Sequence, residues 1–194
     1  MADTVPRMIL RTWIFLLWSV AAVAAEDFHV ETARRGGAVE VRAYAVVEAQ
    51  YATVWSTLTD YDAFAAFIPG MRSSRVIERT GATWVVEQKG ETRFLVFTYP
   101  IEVTLLATAV PPYALDVHLL KGNLRRLDGG YRLEPAGAGR IGLRWTGLVE
   151  PQSLPPLLGE LVMRSNVEAQ FAGMVREIEL REARRRAASP APPQ

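Results

Sequence analysis

The sequence contains no cysteine. Disulfides, thiolate metal sites and cysteine nucleophiles are excluded, and an exported form of this chain must rest on its core alone. Histidine is nearly as scarce, with only His29 and His118. His29 lies in a polar stretch, and His118 takes the polar parity of its strand, opposite Leu115, Val117 and Leu119. Each reads as a solvated surface residue. Metal ligation needs His, Cys or carboxylates clustered at usable spacing, and no such cluster is visible, so neither metal nor cofactor is expected. There is no Ser–His–acid set and no Gly-x-Ser-x-Gly elbow. Gly137-Ala138-Gly139-Arg140 lacks the length and the Lys-Ser/Thr of a phosphate loop. No catalytic residue is assigned. An excess of charge is missing too: the formal net charge is +1 and the basic residues are almost all Arg. Nucleic acid is not an expected partner.

What is present is apolar and aromatic. In 194 residues the apolar share is 49%, with five Trp, seven Phe and six Tyr, which suits one domain with a real core. Residues 1–25 read as a secretory signal. Arg7 and Arg11 make a positive start, residues 12–23 are apolar, and Ala22-Val23-Ala24-Ala25 offers small residues for cleavage. The apolar run is short of the roughly 20 residues that span a bilayer. Cleavage and a periplasmic or secreted location are expected, an uncleaved anchor being the alternative. Removing Arg7 and Arg11 from 22 basic residues and Asp3 from 21 acidic ones leaves 20 of each, a formally neutral chain.

Residues 26–37 are polar, end in Arg34-Arg35-Gly36-Gly37, and read as a flexible lead-in. Residues 38–50 then alternate, with Val39, Val41, Ala43, Ala45 and Val47 on one face and Glu40, Arg42 and Glu48 on the other. That is a half-buried strand. Residues 51–67 carry two short helical turns. Tyr51, Val54, Trp55 and Leu58 mark the first, and Tyr61, Phe64 and Phe67 mark the second, with Asp60 placed to cap it. Strands follow at 71–78, 83–88 and 93–110, where Pro100 implies an edge position or a bulge. Further strands are expected at 113–121, at 124–133 with a bend or bulge at Asp128-Gly129-Gly130, and at 140–149.

Residues 155–186 read as one long helix, opened by two prolines and closed by Arg181, Arg184, Arg185 and Arg186. Leu157, Leu158, Leu161 and Val162 form an early stripe; Val167, Phe171, Met174, Val175 and Ile178 form a later one. At about 100° per residue the two lie well apart, which predicts a bend or break near residues 164–166. Residues 187–194, rich in Pro and Ala, are expected to be a disordered tail.

The order is strand, two short helices, a run of hairpin-connected strands, then a long helix. It implies an α+β fold with a curved antiparallel sheet of about seven strands. A curved sheet around a long helix commonly leaves an apolar cavity between them. The pattern resembles the START-like helix-grip superfamily (SRPBCC), nearest its polyketide cyclase/dehydrase and coenzyme Q-binding group. The residues that carry it are the strand at 39–49, Thr53-Val54-Trp55 with Leu58, Thr59-Asp60-Tyr61, Ile68-Pro69-Gly70, Ser73-Ser74-Arg75-Val76 and the C-terminal helix. The resemblance covers residues 38–184, within a domain placed at 38–186.

It implies a hydrophobic cavity used by relatives for lipids, sterols, isoprenoid quinones or polyketides, with the short helices and the start of the last helix around its mouth. Candidates for the lining are Trp55, Tyr61, Phe64, Phe97, Tyr99, Leu115, Val117, Trp145, Phe171 and Val175. Parity makes them inward; it does not separate ligand contact from contact with one another. Gln88, Tyr99 and Arg144 are the candidate polar groups, each also explicable as an ordinary strand residue. Three readings remain open. The first is an exported carrier of a hydrophobic small molecule, for which transient membrane contact is a natural accompaniment. The second is a cyclase- or dehydrase-like enzyme, which requires inward ionisable groups with perturbed pKa values. The third is an interaction module with a solid core, which requires that there be no pocket.

Overall fold

A computed structural model of the chain describes residues 28–94, 97–152 and 156–189, without the side chains of residues 94, 97, 156 and 157. The expected signal at 1–25 lies outside the described residues. Eight strands form one antiparallel sheet: β1 (His29–Arg35), β2 (Ala38–Val47), β3 (Met71–Thr80), β4 (Thr83–Phe94), β5 (Phe97–Val110), β6 (Ala114–Gly122), β7 (Leu124–Pro135) and β8 (Ile141–Pro151). Their order across the sheet is β1-β2-β8-β7-β6-β5-β4-β3. Strands β3 to β8 run as a meander whose last strand returns to pair with β2. Between β2 and β3 lie α1 (Tyr51–Leu58), a 3-10 turn (Tyr61–Ala63) and α2 (Phe64–Phe67). The long helix α3 (Pro156–Ala188) closes the domain. This is the helix-grip arrangement the pattern implied.

Residues 26–37 are not simply a lead-in, because β1 makes an eighth strand. It pairs with β2 from His29↔Tyr44 to Arg35↔Ala38, across a two-residue turn of Gly36 and Gly37. Gly36 has φ +63°, a conformation that glycine adopts without strain. An edge strand has only one neighbour, and a polar sequence suits it.

The inner face of β2 is the one its alternation predicted: Val39, Val41, Ala43, Ala45 and Val47 are all buried. Pro100 pairs with Glu91 of β4, while β6 covers β5 only from Val103 onward. The proline therefore sits at a local edge, where its missing N–H deprives no neighbour. Asn123 takes the place of a strand there. Its Nδ2 donates to the Pro100 carbonyl at 2.7 Å and its Oδ1 accepts from the Glu102 N–H at 2.9 Å. Strand β7 runs unbroken through Asp128-Gly129-Gly130, and its register irregularity against β8 falls at Arg125 instead.

Helix α3 runs unbroken through residues 164–166, so there is no break there, and residues 187 and 188 belong to the helix rather than to a tail. No proline interrupts it after Pro156. Its buried residues other than glycine are Val162, Met163, Phe171, Met174, Val175, Ile178 and Glu182, a stripe that drifts round the helix. A twisted sheet turns its face along the helix and follows that drift. Leu161 is 49% exposed and belongs to no stripe. Helix α3 rests mainly on β1 and β2 at one end of the sheet, on β4 at the other, and on α1 and α2. The middle strands face a gap.

Candidate functional site

That gap holds two cavities. The larger, about 130 Å³, is walled by Leu58, Tyr61, Phe64, Ile68, Met71, Val86, Gln88, Leu105, Ala107, Leu115, Val117, Leu127, Tyr131, Trp145, Gln170 and Met174. The smaller, about 90 Å³, lies beside Gly70, Lys89, Gly90, Glu91, Ile101, Val103, Leu124, Val149, Met163, Asn166 and Val167. Met71, Gln88, Leu127 and Gln170 belong to both walls and form the partition. Gly70, Glu91 and Asn166 continue from the smaller cavity into an open cleft of about 370 Å³ with Pro69, Thr92, Arg93, Ser165 and Ala169. The three spaces adjoin in series, each sharing wall residues with the next. Each cavity is below the 300–1,000 Å³ of an ordinary drug-sized site, so an occupant larger than one ring must use the series or part α3 from the sheet.

Glycines shape the floor. A Cβ at Gly129 would stand 2.9 Å from Trp145 Cη2, and one at Gly147 would stand 2.9 Å from Trp145 Cζ2. Without those side chains the Trp145 indole lies flat against its own sheet and packs on Tyr131, ring centroids 4.8 Å apart. Tyr61 is held between Phe64 at 5.2 Å and Trp84 at 6.0 Å.

The polar groups in the larger cavity are few. Tyr61 is 5% exposed, and its hydroxyl is buried without a hydrogen-bond partner among the described residues. Such a group costs about 1–3 kcal/mol. Burial, and secondarily the neighbouring Tyr131 phenol, raises the Tyr61 pKa; burial alone raises that of Tyr131. Both phenols therefore stay protonated at any physiological pH. Gln88 Nε2 donates to Ser74 Oγ at 3.3 Å. Ionisable side chains on the two cavity walls are these tyrosines, with Lys89 and Glu91 near the cleft. Among the described residues no three His, Asp or Glu gather as a metal would need.

Of the residues expected to line a cavity, the structure brings together Tyr61, Phe64, Leu115, Val117 and Trp145. Four others stand elsewhere. Trp55 is partly buried against the core but is on neither cavity wall. Tyr99 lies past the end of β6, where its hydroxyl donates to the Asn123 carbonyl at 3.1 Å. Phe171 points at Phe28, ring centroids 5.6 Å apart, and Val175 is packed into the core. The side chain of Phe97 lies outside the described residues. Arg144 faces out, paired with Glu134 and stacked over Tyr44. Sequence reasoning missed Tyr131, Gln170 and Met174. Gln170 carried a usable signal, a polar residue in register with the buried Met163 and Met174.

Two contacts fix the helices around the cavities. Glu182 of α3, 2% exposed, reaches the start of α1. Its carboxylate accepts from Thr53 Oγ1 at 2.6 Å and the Gln50 N–H at 3.4 Å, and from Arg185 Nη2 at 2.6 Å. Hydrogen bonding from Arg185 and then Thr53 outweighs burial and holds its pKa down to about 2. Asp60, expected as a helix cap, makes no capping bond. It pairs instead with Arg181 Nη1 at 2.9 Å, and that guanidinium lies over Phe67. Gly173 lets α3 approach the Phe67–Pro69 corner, since a Cβ there would stand 2.5 Å from Pro69 Cδ and 2.8 Å from the Phe67 carbonyl oxygen.

Solved structures show the same fold. An aromatase/cyclase, Zhui, from a Streptomyces species matches with TM-score 0.65 at 16% identity, over 82% of this chain and 98% of its own. A STAR-related lipid transfer protein from Xanthomonas axonopodis matches with TM-score 0.63 at 16% identity, over 81% and 96%. A Thermus thermophilus protein matches with TM-score 0.64 at 18% identity, over 77% and 99%. A comparison with curated proteins finds no match. Family and fold together point to hydrophobic-ligand binding, polyketide cyclisation or lipid transfer. Residues 47–177, about two thirds of the sequence, match the family described as polyketide cyclase / dehydrase and lipid transport, and the chain belongs to that family.

Proposed function

We propose that this chain is an exported carrier that holds a hydrophobic small molecule between its sheet and α3 and does not transform it. The observation that carries the reading is the larger cavity, whose wall contains no carboxylate, ammonium, guanidinium or imidazole among the described residues. Apolar surface buried there would supply affinity at about 25 cal/mol per Å². Export is supported by Arg7 and Arg11 ahead of an apolar run that ends in small residues. Transient membrane contact would accompany loading, through the open cleft beside Pro69 and Asn166.

A cyclase-like activity is the second reading, favoured by the two protonated phenols, which could polarise a substrate carbonyl. It is the weaker one, because no group on the wall of the larger cavity would take a proton at neutral pH.

The test is mass spectrometry of organic extracts from protein purified without detergent from its native host. A stoichiometric lipid, isoprenoid or polyketide-like species is the expected result. A clean extract that stays clean after incubation with total host lipid would overturn the carrier reading.

A further inference from the structure

Resting on that reading, we infer that the larger cavity selects an uncharged ligand group of about one six-membered ring bearing a hydroxyl or carbonyl oxygen, read by Tyr61 and Tyr131. Size comes first. A cavity near 150 Å³ lined by aliphatic and aromatic side chains is enough for benzene. At about 130 Å³, with Leu58, Ile68, Val86 and Leu115 on its wall, this one suits a single ring, any longer part of the ligand extending toward the cleft.

Polarity comes second. The Tyr61 hydroxyl is buried with no partner among the described residues, on the wall of a cavity that is otherwise nearly apolar. Tyr131 stands on the same cavity wall and is packed on Trp145, ring centroids 4.8 Å apart. A ligand oxygen placed between them would accept from one phenol, and a ligand hydroxyl could in turn donate to the other. This satisfies the group that the fold leaves unpaired.

Charge comes third. A carboxylate or ammonium in the same place would be a buried ion with no counter-ion, since the wall offers none. Both phenols remain protonated, so neither becomes an anion that could welcome a cation. The site thus discriminates in two directions: against the hydrocarbon, which leaves Tyr61 unpaired, and against the ion, which is itself unpaired.

Met71 and Met174 line the cavity and supply the readout. The full chain, labelled with ¹³C at the methionine methyls, is titrated with p-cresol, toluene and benzoate, three probes of one ring. The expected result is that p-cresol shifts the Met174 methyl with an affinity about tenfold or more above that of toluene, while benzoate has no effect at the same concentrations. In Tyr61→Phe and in Tyr131→Phe, toluene should bind as before and the preference for p-cresol should fall to about twofold or less. Equal binding of p-cresol and toluene, a preference that survives in both variants, or benzoate binding as well as p-cresol would overturn the inference and leave hydrophobic binding standing. If no probe moves either methyl, hydrophobic binding at this cavity is overturned as well.

Discussion

Replacing Glu182 with Ala should cost about 2–3 kcal/mol of stability, a large effect for a residue near the end of a surface helix. Two routes give this magnitude. The first is linkage: hydrogen bonding holds this carboxylate down to about 2, well below the usual carboxylate range, which is worth about 3 kcal/mol at neutral pH. The second is the contact set. Truncation strands the buried Thr53 hydroxyl at about 1–3 kcal/mol and removes charge-assisted bonds from Arg185 and Arg186. Those two arginines are exposed enough that their share is screened, which keeps the total near the lower figure. The sign with pH is fixed by the direction of the shift. The native state binds its proton less readily than the unfolded state, so the contribution is complete above about pH 4.5 and disappears as pH falls towards 2. Urea denaturation of wild type and Glu182→Ala at pH 7 and pH 3 reads both quantities. The difference between the two proteins should shrink on acidification. A loss below about 0.5 kcal/mol at pH 7, or a difference that grows towards acid, would refute the account of Glu182 as the clasp between α3 and α1.

Three other outcomes follow from the cavity wall and from the packing of α3 beside it. Tyr61→Phe should leave stability unchanged or raise it by about 1 kcal/mol, against the usual loss for removing a buried phenol oxygen, because that oxygen has no partner among the described residues; a clear drop in melting temperature would contradict this. Gly173→Ala should destabilise by about 1–3 kcal/mol although alanine is the better helix former by about 1 kcal/mol, since its Cβ meets the Pro69 ring and the Phe67 carbonyl; a rise in melting temperature would show that this corner yields. Ala107→Leu should fill the larger cavity, keep the fold within about 1 kcal/mol of wild type and abolish the methyl shift that toluene produces at Met174; retained binding would place the ligand elsewhere.

The sheet was legible because one face is buried, and a period of two then writes itself into residues such as Val39, Val41, Ala43, Ala45 and Val47. Strand β1 escaped because an edge strand buries little. Only Val30 and Thr32 of its residues are even half-buried, and the Gly36–Gly37 pair that makes the hairpin was the remaining sign. Leu161 misled in the opposite way: an apolar residue facing solvent was read into the early stripe on α3, and the helix runs unbroken past it.

The site was harder to read than the fold for a reason particular to cavities. Parity and helical phase say which way a side chain points, but a cavity depends on what fails to arrive from the other side. Phe171 and Met174 are equally apolar and equally buried on α3, yet Phe171 finds Phe28 while Met174 finds empty space. Nothing local distinguishes them. The marks that do survive in sequence are the exceptions to good core design: Gln170 on a buried stripe, Tyr131 on the inner face of β7, and glycines at 129 and 147 that spend strand stability to seat an indole. A chain selected for packing alone would have replaced each with an aliphatic side chain. Their presence in the strip between the middle strands and α3 is what the proposed carrier role accounts for and packing alone does not.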